Sequence, residues 1–129
     1  MAGSPAVDRL RRRADFLAVS AGARAATKAF VLLGRRREAE NGPARVGLTT
    51  AKKIGSAVER NRIRRRLRAL VRQTAPYAAR DGFDYVLIAR REALHVPFEE
   101  MSAGFVTALR RVHAGEAGAA RPKDEVARS

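Results

Sequence analysis

Lys52-Lys53-Ile54-Gly55-Ser56-Ala57-Val58-Glu59-Arg60-Asn61-Arg62-Ile63-Arg64-Arg65-Arg66-Leu67-Arg68 holds both a helix start and the densest charge of the chain. Ser56-Ala57-Val58-Glu59 is a capping box. The Ser56 hydroxyl can accept an amide of the first turn while Glu59 reaches back to the cap amide. Replacing such a cap typically costs about 1 kcal/mol. The spacing predicts a helix from here to about Thr74, ahead of Pro76. Ile63, Leu67, Leu70, Val71 and Thr74 fall on its buried face. Asn61, Arg62, Arg65, Arg68 and Arg72 project from the other side. Arg60, Arg64 and Arg66 flank the seam, where their stems can lie over apolar neighbours.

Between Arg45 and Arg72 there are ten Lys/Arg and one acid, Glu59, which is more than half of the net +14 of the 129-residue chain. Ordinary surface helices mix signs for i,i+4 pairing. A helix face this uniform repels itself and calls for a polyanion, most naturally a nucleic-acid backbone. Arg outnumbers Lys 23 to 4. Arg presents a planar fork to phosphate and stacks on bases. GC-rich codon usage accounts for most of that ratio, but not for the clustering.

Outward from the helix, Arg45–Ala51 reads as a strand with Val46, Leu48 and Thr50 on one face. Phe30–Leu33 reads as another, and Asn41-Gly42 between them is a hairpin signal. Asp81-Gly82 is a turn before Phe83–Ala89 (FDYVLIA), whose apolar run suggests a central strand. Pro97 opens a last helix with Phe98, Met101, Phe105, Leu109 and Val112 at helical spacing. A first helix is expected from about Val7 to Ala21, with Leu10, Ala14, Leu17 and Ala21 as its apolar stripe. A short extra strand fits near Arg24–Lys28. The sum is an α/β (α+β) sandwich of two layers, a small four-stranded mixed sheet with about three helices. Residues 1–6 read as a disordered lead-in, 7–113 as one domain and 114–129 as a disordered tail.

No stretch approaches the roughly 20 apolar residues of a membrane span. No secretory h-region is evident at the N-terminus. The chain has no cysteine, which excludes disulfides, thiolate zinc sites and thiol catalysis. These features fit a cytoplasmic protein with no membrane contact, and no protein partner is evident. Phe16 falls off the expected stripe, near Arg9, Arg12 and Arg13. It could stack on an unpaired base, worth roughly 1–3 kcal/mol, or pack on the sheet if the helix is rotated; spacing leaves both open. His95 and His113 read as surface or cap residues, and Glu99-Glu100 as acids at a helix start. No Ser/His/Asp order, His pair or acid cluster supplies phosphodiester chemistry. The chain carries no catalytic residue of its own, and metal ligands are not identifiable. A structural RNA binder and a major-groove DNA binder remain as rival readings, although no helix-turn-helix pair is evident.

Arg45 to Leu70 resembles the signature of the bacterial ribonuclease P protein component. The matching residues are Arg45-Val46-Gly47-Leu48, Lys52-Lys53, Gly55 and Ala57-Val58-Glu59-Arg60-Asn61-Arg62 with its basic continuation. Arg9-Leu10 with Asp15-Phe16, Phe30-Val31-Leu32, and Asp84-Tyr85-Val86-Leu87-Ile88-Ala89-Arg90 agree with its flanks. The likeness covers about residues 8–112. It implies a subunit that assists a catalytic RNA, using Mg²⁺, in removing the 5′ leader of precursor tRNA. By that resemblance Lys52, Lys53, Arg60, Asn61, Arg62, Arg65 and Arg68 bind the catalytic RNA. The single-stranded leader would lie in a cleft between first helix and sheet, at Phe16 with Arg9 and Arg12. The family fold, similar to a domain of a small-subunit ribosomal protein, has a left-handed strand–helix–strand crossover, whereas the usual rule is right-handed. Ser20 and Leu33 depart from the family pattern, which has aromatics there more often, so the cleft should stack less and rely more on charge.

Overall fold

A computed structural model describes residues 7–37 and 42–119. The elements run β1 (Val7–Arg9), α1 (Arg13–Val19), β2 (Ala23–Ala26), β3 (Phe30–Arg36), β4 (Ala44–Thr49), a 3₁₀ turn (Lys52–Ile54), α2 (Ala57–Ala78), β5 (Phe83–Ala89), a second 3₁₀ turn (Arg91–Leu94) and α3 (Phe98–Ala119). The strands form one mixed sheet in the order β1-β4-β5-β3-β2.

β5 takes the centre because both of its faces are apolar. Phe83, Tyr85, Leu87 and Ala89 face one side, and Val86 the other, as the two-residue period of a strand requires. It pairs antiparallel with β3 and parallel with β4. The hairpin expected from Asn41-Gly42 therefore does not form, since β5 is inserted between its two strands. Asn41 itself lies outside the described residues. Gly42 does turn in the left-handed region, at φ +107°, and its carbonyl accepts the Gly82 N–H at 2.9 Å.

Helices α2 and α3 cover one face of the sheet. Ile63, Leu67 and Leu70 from α2 meet Met101, Phe105, Leu109 and Val112 from α3 over Phe30, Leu32, Tyr85 and Leu87. The Phe105 ring stands edge-on to Phe30, centroids 5.8 Å apart. The other face carries a smaller cluster of Leu10, Val19, Leu33 and Val86, closed by Phe16 and Val31.

Four expectations are corrected. The sheet has five strands, because Val7–Arg9 pairs parallel with Ala44–Val46 of β4 instead of starting a helix. An unpaired β4 edge is a stronger demand than the weak alanine stripe of this segment. α1 is thus only seven residues long and is rotated: Val19 is buried while Leu17 is 59% exposed. α2 continues through Pro76 to Ala78, since burying Ala75 outweighs one missing hydrogen bond in the last turn. α3 runs to Ala119, six residues into the segment read as tail. Residues 1–6 and 120–129 lie outside the described residues.

His113 is also corrected, from the surface to the interior, at 6% exposure. Its Nε2 lies 2.6 Å from the Tyr85 hydroxyl, which also accepts the Arg80 N–H at 2.9 Å. Burial, aided by the Arg80 charge, pushes His113 down to about 4 from 6.5. Burial likewise raises the Tyr85 hydroxyl to about 12. The phenol thus keeps its proton, and with its oxygen already accepting from Arg80 it can donate a hydrogen bond to the Nε2 of a neutral ring protonated at Nδ1.

Tyr85→Phe should leave the Arg80 amide and the His113 ring nitrogen unpaired and cost about 1–3 kcal/mol in denaturant melts. The unfolded chain binds the His113 proton first as pH falls. Tm should therefore decline from pH 6.5 towards 4 because of this group, with a shallower decline for His113→Asn.

Candidate nucleic-acid interface

The capping box forms as the sequence predicts: Glu59 N–H donates to Ser56 Oγ at 3.1 Å and Ser56 N–H to Glu59 Oε1 at 2.9 Å. It fixes where α2 begins, and the buried row Ile63, Leu67, Leu70 fixes its rotation. Asn61, Arg62, Arg65, Arg68 and Arg72 are all left exposed. By helix geometry Asn61, Arg65, Arg68 and Arg72 share an arc of about 60°. Lys52 and Lys53 are exposed on the 3₁₀ turn just before the helix.

Arg60 and Arg66 behave differently from the rest. Both are half-buried. Arg60 Nη1 donates to the Gly55 carbonyl at 2.7 Å and the Lys52 carbonyl at 3.3 Å. Arg66 donates to the carbonyls of Ala93 and Val96. These guanidiniums tie the two 3₁₀ turns to α2. The seam positions foreseen for them are right, and the sequence alone gave no sign of their carbonyl partners.

A groove of about 400 Å³ runs between β1, β4 and α2. Val46 and Leu48 line it from β4, Arg9 and Leu10 from the N-terminal segment, and Arg68, Val71, Arg72 and Pro76 from α2. Phe16 lines it too, half-buried: the ring packs on the small cluster against the sheet, and part of it borders the groove. Its seat depends on Gly47, where an added Cβ would stand 2.5 Å from Phe16 Cζ. The structure thus brings Arg9, Phe16 and Arg68 together, adds Arg72, and leaves Arg12 outside, exposed at the N-cap of α1. Ser20 caps the end of α1, its hydroxyl donating to the Leu17 carbonyl at 2.6 Å. Leu33 is buried in the small cluster and presents no ring.

Beneath α1 lies an ionic network that the sequence reading missed. Asp84 is buried in β5. Its Oδ1 accepts Arg37 Nη1 at 2.6 Å and Arg45 Nε at 2.8 Å, and its Oδ2 accepts Arg45 Nη2 at 2.7 Å. Arg45 Nη1 also stands 3.6 Å from Asp15 Oδ2, beside Phe16. The only sequence signal was an acid within an otherwise apolar strand, which needs a partner when buried.

With this geometry in view, the comparisons decide the family. The ribonuclease P family model matches residues 5–113. The chain belongs to the ribonuclease P protein family. The ribonuclease P protein component of Paramagnetospirillum magneticum is 42% identical, covering 86% of this chain and 91% of that protein. That of Erythrobacter litoralis is 39% identical, over 90% and 93%. The ribonuclease P protein from Thermotoga maritima superimposes with a TM-score of 0.67 at 30% identity, over 81% and 97% of the two chains. That of Staphylococcus aureus gives 0.64 at 25% identity, over 79% and 92%. As a family member the chain is a protein subunit of ribonuclease P, the enzyme of tRNA 5′-end processing whose catalysis resides in its RNA.

Among the described residues no group of three or more His, Asp or Glu is placed to hold a metal ion, and no helix is long and apolar enough to cross a membrane.

Gly47→Ala should displace Phe16 and cost about 1–3 kcal/mol through overpacking. A denaturant midpoint measures the cost, and loss of Phe16 order by NMR reports the displacement.

Proposed function

We propose that this subunit holds the 5′ leader of precursor tRNA in the groove while α2 and the Lys52–Lys53 turn lie along the catalytic RNA. The observation that carries this reading is the groove itself: an aromatic edge and Arg9 on one side, and the α2 arginines on the other. A single strand offers bases to stack and phosphates to pair, and this wall offers both partners. Arg68 and Arg72 border the groove as well as the exposed stripe, so the two RNAs would meet across α2.

The assignments follow from that arrangement. Lys52, Lys53, Asn61, Arg62, Arg65 and Arg68 face the catalytic RNA. Arg60 supports them by holding the turn. Phe16 and Arg9 take the leader, and Arg12 flanks the approach. Mg²⁺ enters through the RNA subunit, and the work is done in the cytoplasm. The protein's contribution is electrostatic. Its net +14 lowers the repulsion between two polyanions that would otherwise be screened by ions alone.

Precursor-tRNA cleavage by a bacterial ribonuclease P RNA at low Mg²⁺, with and without the protein, tests the reading. Strong stimulation at the mature 5′ end is expected, and added Mg²⁺ should offset omission of the protein. No stimulation with the cognate RNA would overturn it. Arg62→Ala or Arg65→Ala should weaken RNA binding and flatten its log–log salt dependence by about 0.9 or less per lost phosphate contact. Phe16→Ala should weaken binding of leader-bearing tRNA more than of mature tRNA, and an equal loss would return Phe16 to a packing role alone.

A further inference from the structure

Arg91 lies outside the arginine-rich stretch, on the 3₁₀ turn that follows β5. Its Nη1 donates to the Ile54 carbonyl at 2.8 Å and to Glu59 Oε1 at 3.1 Å, and its Nη2 to Glu59 Oε2 at 2.9 Å. Arg60 grips the Gly55 and Lys52 carbonyls of the same turn. Two guanidiniums thus hold three of the four carbonyls from Lys52 to Gly55, in the turn that carries Lys52 and Lys53. A Cβ at Gly55 would stand 2.4 Å from Glu59 Oε1 and 2.7 Å from Arg91 Nη1, so a side chain there would push directly on the Glu59–Arg91 pair.

We infer that Arg91 is a positioning residue for RNA binding: it clamps the Lys52–Lys53 turn to the first turn of α2 and so sets where the two ammonium groups stand beside the arginine stripe. The inference rests on the proposed role of those lysines. A lysine is a point charge on a flexible stem, so its reach is set by the backbone that carries it. Fixing that backbone before binding removes part of the ordering cost. Arg91 is poorly suited to be a phosphate ligand itself. Its charge is already paired with Glu59, whose carboxyl is held down to about 2 by the Arg91 hydrogen bonds and the Ser56 amide.

Affinity of the full-length protein for a bacterial ribonuclease P RNA, measured across a salt series, tests this. The variants are Arg91→Ala, Arg91→Lys, the double variant Lys52→Ala/Lys53→Ala, and Arg91→Ala in that double background. The double lysine variant should bind more weakly with a flatter salt slope. Arg91→Ala should weaken binding about three- to tenfold, in the lower part of the range of coupled contacts. Arg91→Lys should lose nearly as much, since an ammonium cannot span the Ile54 carbonyl and both carboxylate oxygens. Without the lysines, Arg91→Ala should cause no further loss, and amide exchange at residues 52–56 should be faster in the free Arg91→Ala protein. Wild-type affinity in Arg91→Lys, with the Arg91→Ala loss persisting in the double background, would make Arg91 a direct phosphate contact and overturn the inference. Unchanged binding and slope in the double lysine variant would instead remove the lysines from the proposed interface, and the inference with them.

Discussion

One buried carboxylate organises the face of the sheet that carries the first helix. Asp84 sits in the central strand and is gripped by Arg37 from beyond β3 and Arg45 from β4. A charge in that position is tolerable only when fully paired, and removing one partner of such a set typically costs about 3–5 kcal/mol. The same Arg45 reaches Asp15 on α1, one residue before Phe16. The seat of α1, and with it the aromatic edge of the groove, is thus tied electrostatically to the middle of the sheet. The first helix has seven residues, too few to be stable alone. It holds its place through this network and through Val19 in the small cluster.

The arginines of this protein divide by what their forks meet. Arg60, Arg66 and Arg91 donate to backbone carbonyls and lock turns against α2. Arg37 and Arg45 neutralise a buried acid. Arg62, Arg65, Arg68 and Arg72 stand in solvent along α2, beside Asn61. Crowding of like charge on α2 is eased by this division, because Arg60 and Arg66 turn their forks to backbone carbonyls at the helix flanks. Among the described residues these outward arginines pair with no acid, and their charge keeps its attraction for phosphate.

Much of this was legible in the sequence because local rules and tertiary demands agree there. The capping box, the buried row of α2, the apolar run of β5 and the spacing of α3 each point one way, and each is found. Of Arg9, Arg12 and Phe16, read together in the sequence, the groove gathers Arg9 and Phe16, leaves Arg12 outside and adds Arg68 and Arg72 from a helix far along the chain. The misread strands share a cause: long-range pairing. Val7–Arg9 looks helical by spacing, yet β4 needs a neighbour. Asn41-Gly42 looks like a hairpin, yet β5, more apolar than either flank, takes the place between. Gly47 gave no local sign of its purpose, since the ring it accommodates belongs to a segment about 30 residues earlier. The polar contacts of Asp84, His113 and Arg66 depend on partners that only folding brings near.

The last turns of α3 also close one end of the sheet. Glu116 accepts the Ala23 N–H at 3.1 Å and the Arg36 N–H at 3.0 Å. β2 is the outer strand on that side, and its side chains are Ala23, Arg24, Ala25 and Ala26. In the β2–β3 register Ala23 faces Gly34, so the Ala23 and Arg36 amides both turn into the seam between the two strands, where their pairing stops. The Glu116 carboxylate stands there in place of a further strand residue and satisfies both donors. A helix side chain thus ends the ladder and fastens the start of the outer strand. A chain cut before Glu116 would leave both amides unpaired and let β2 fray from its first residue.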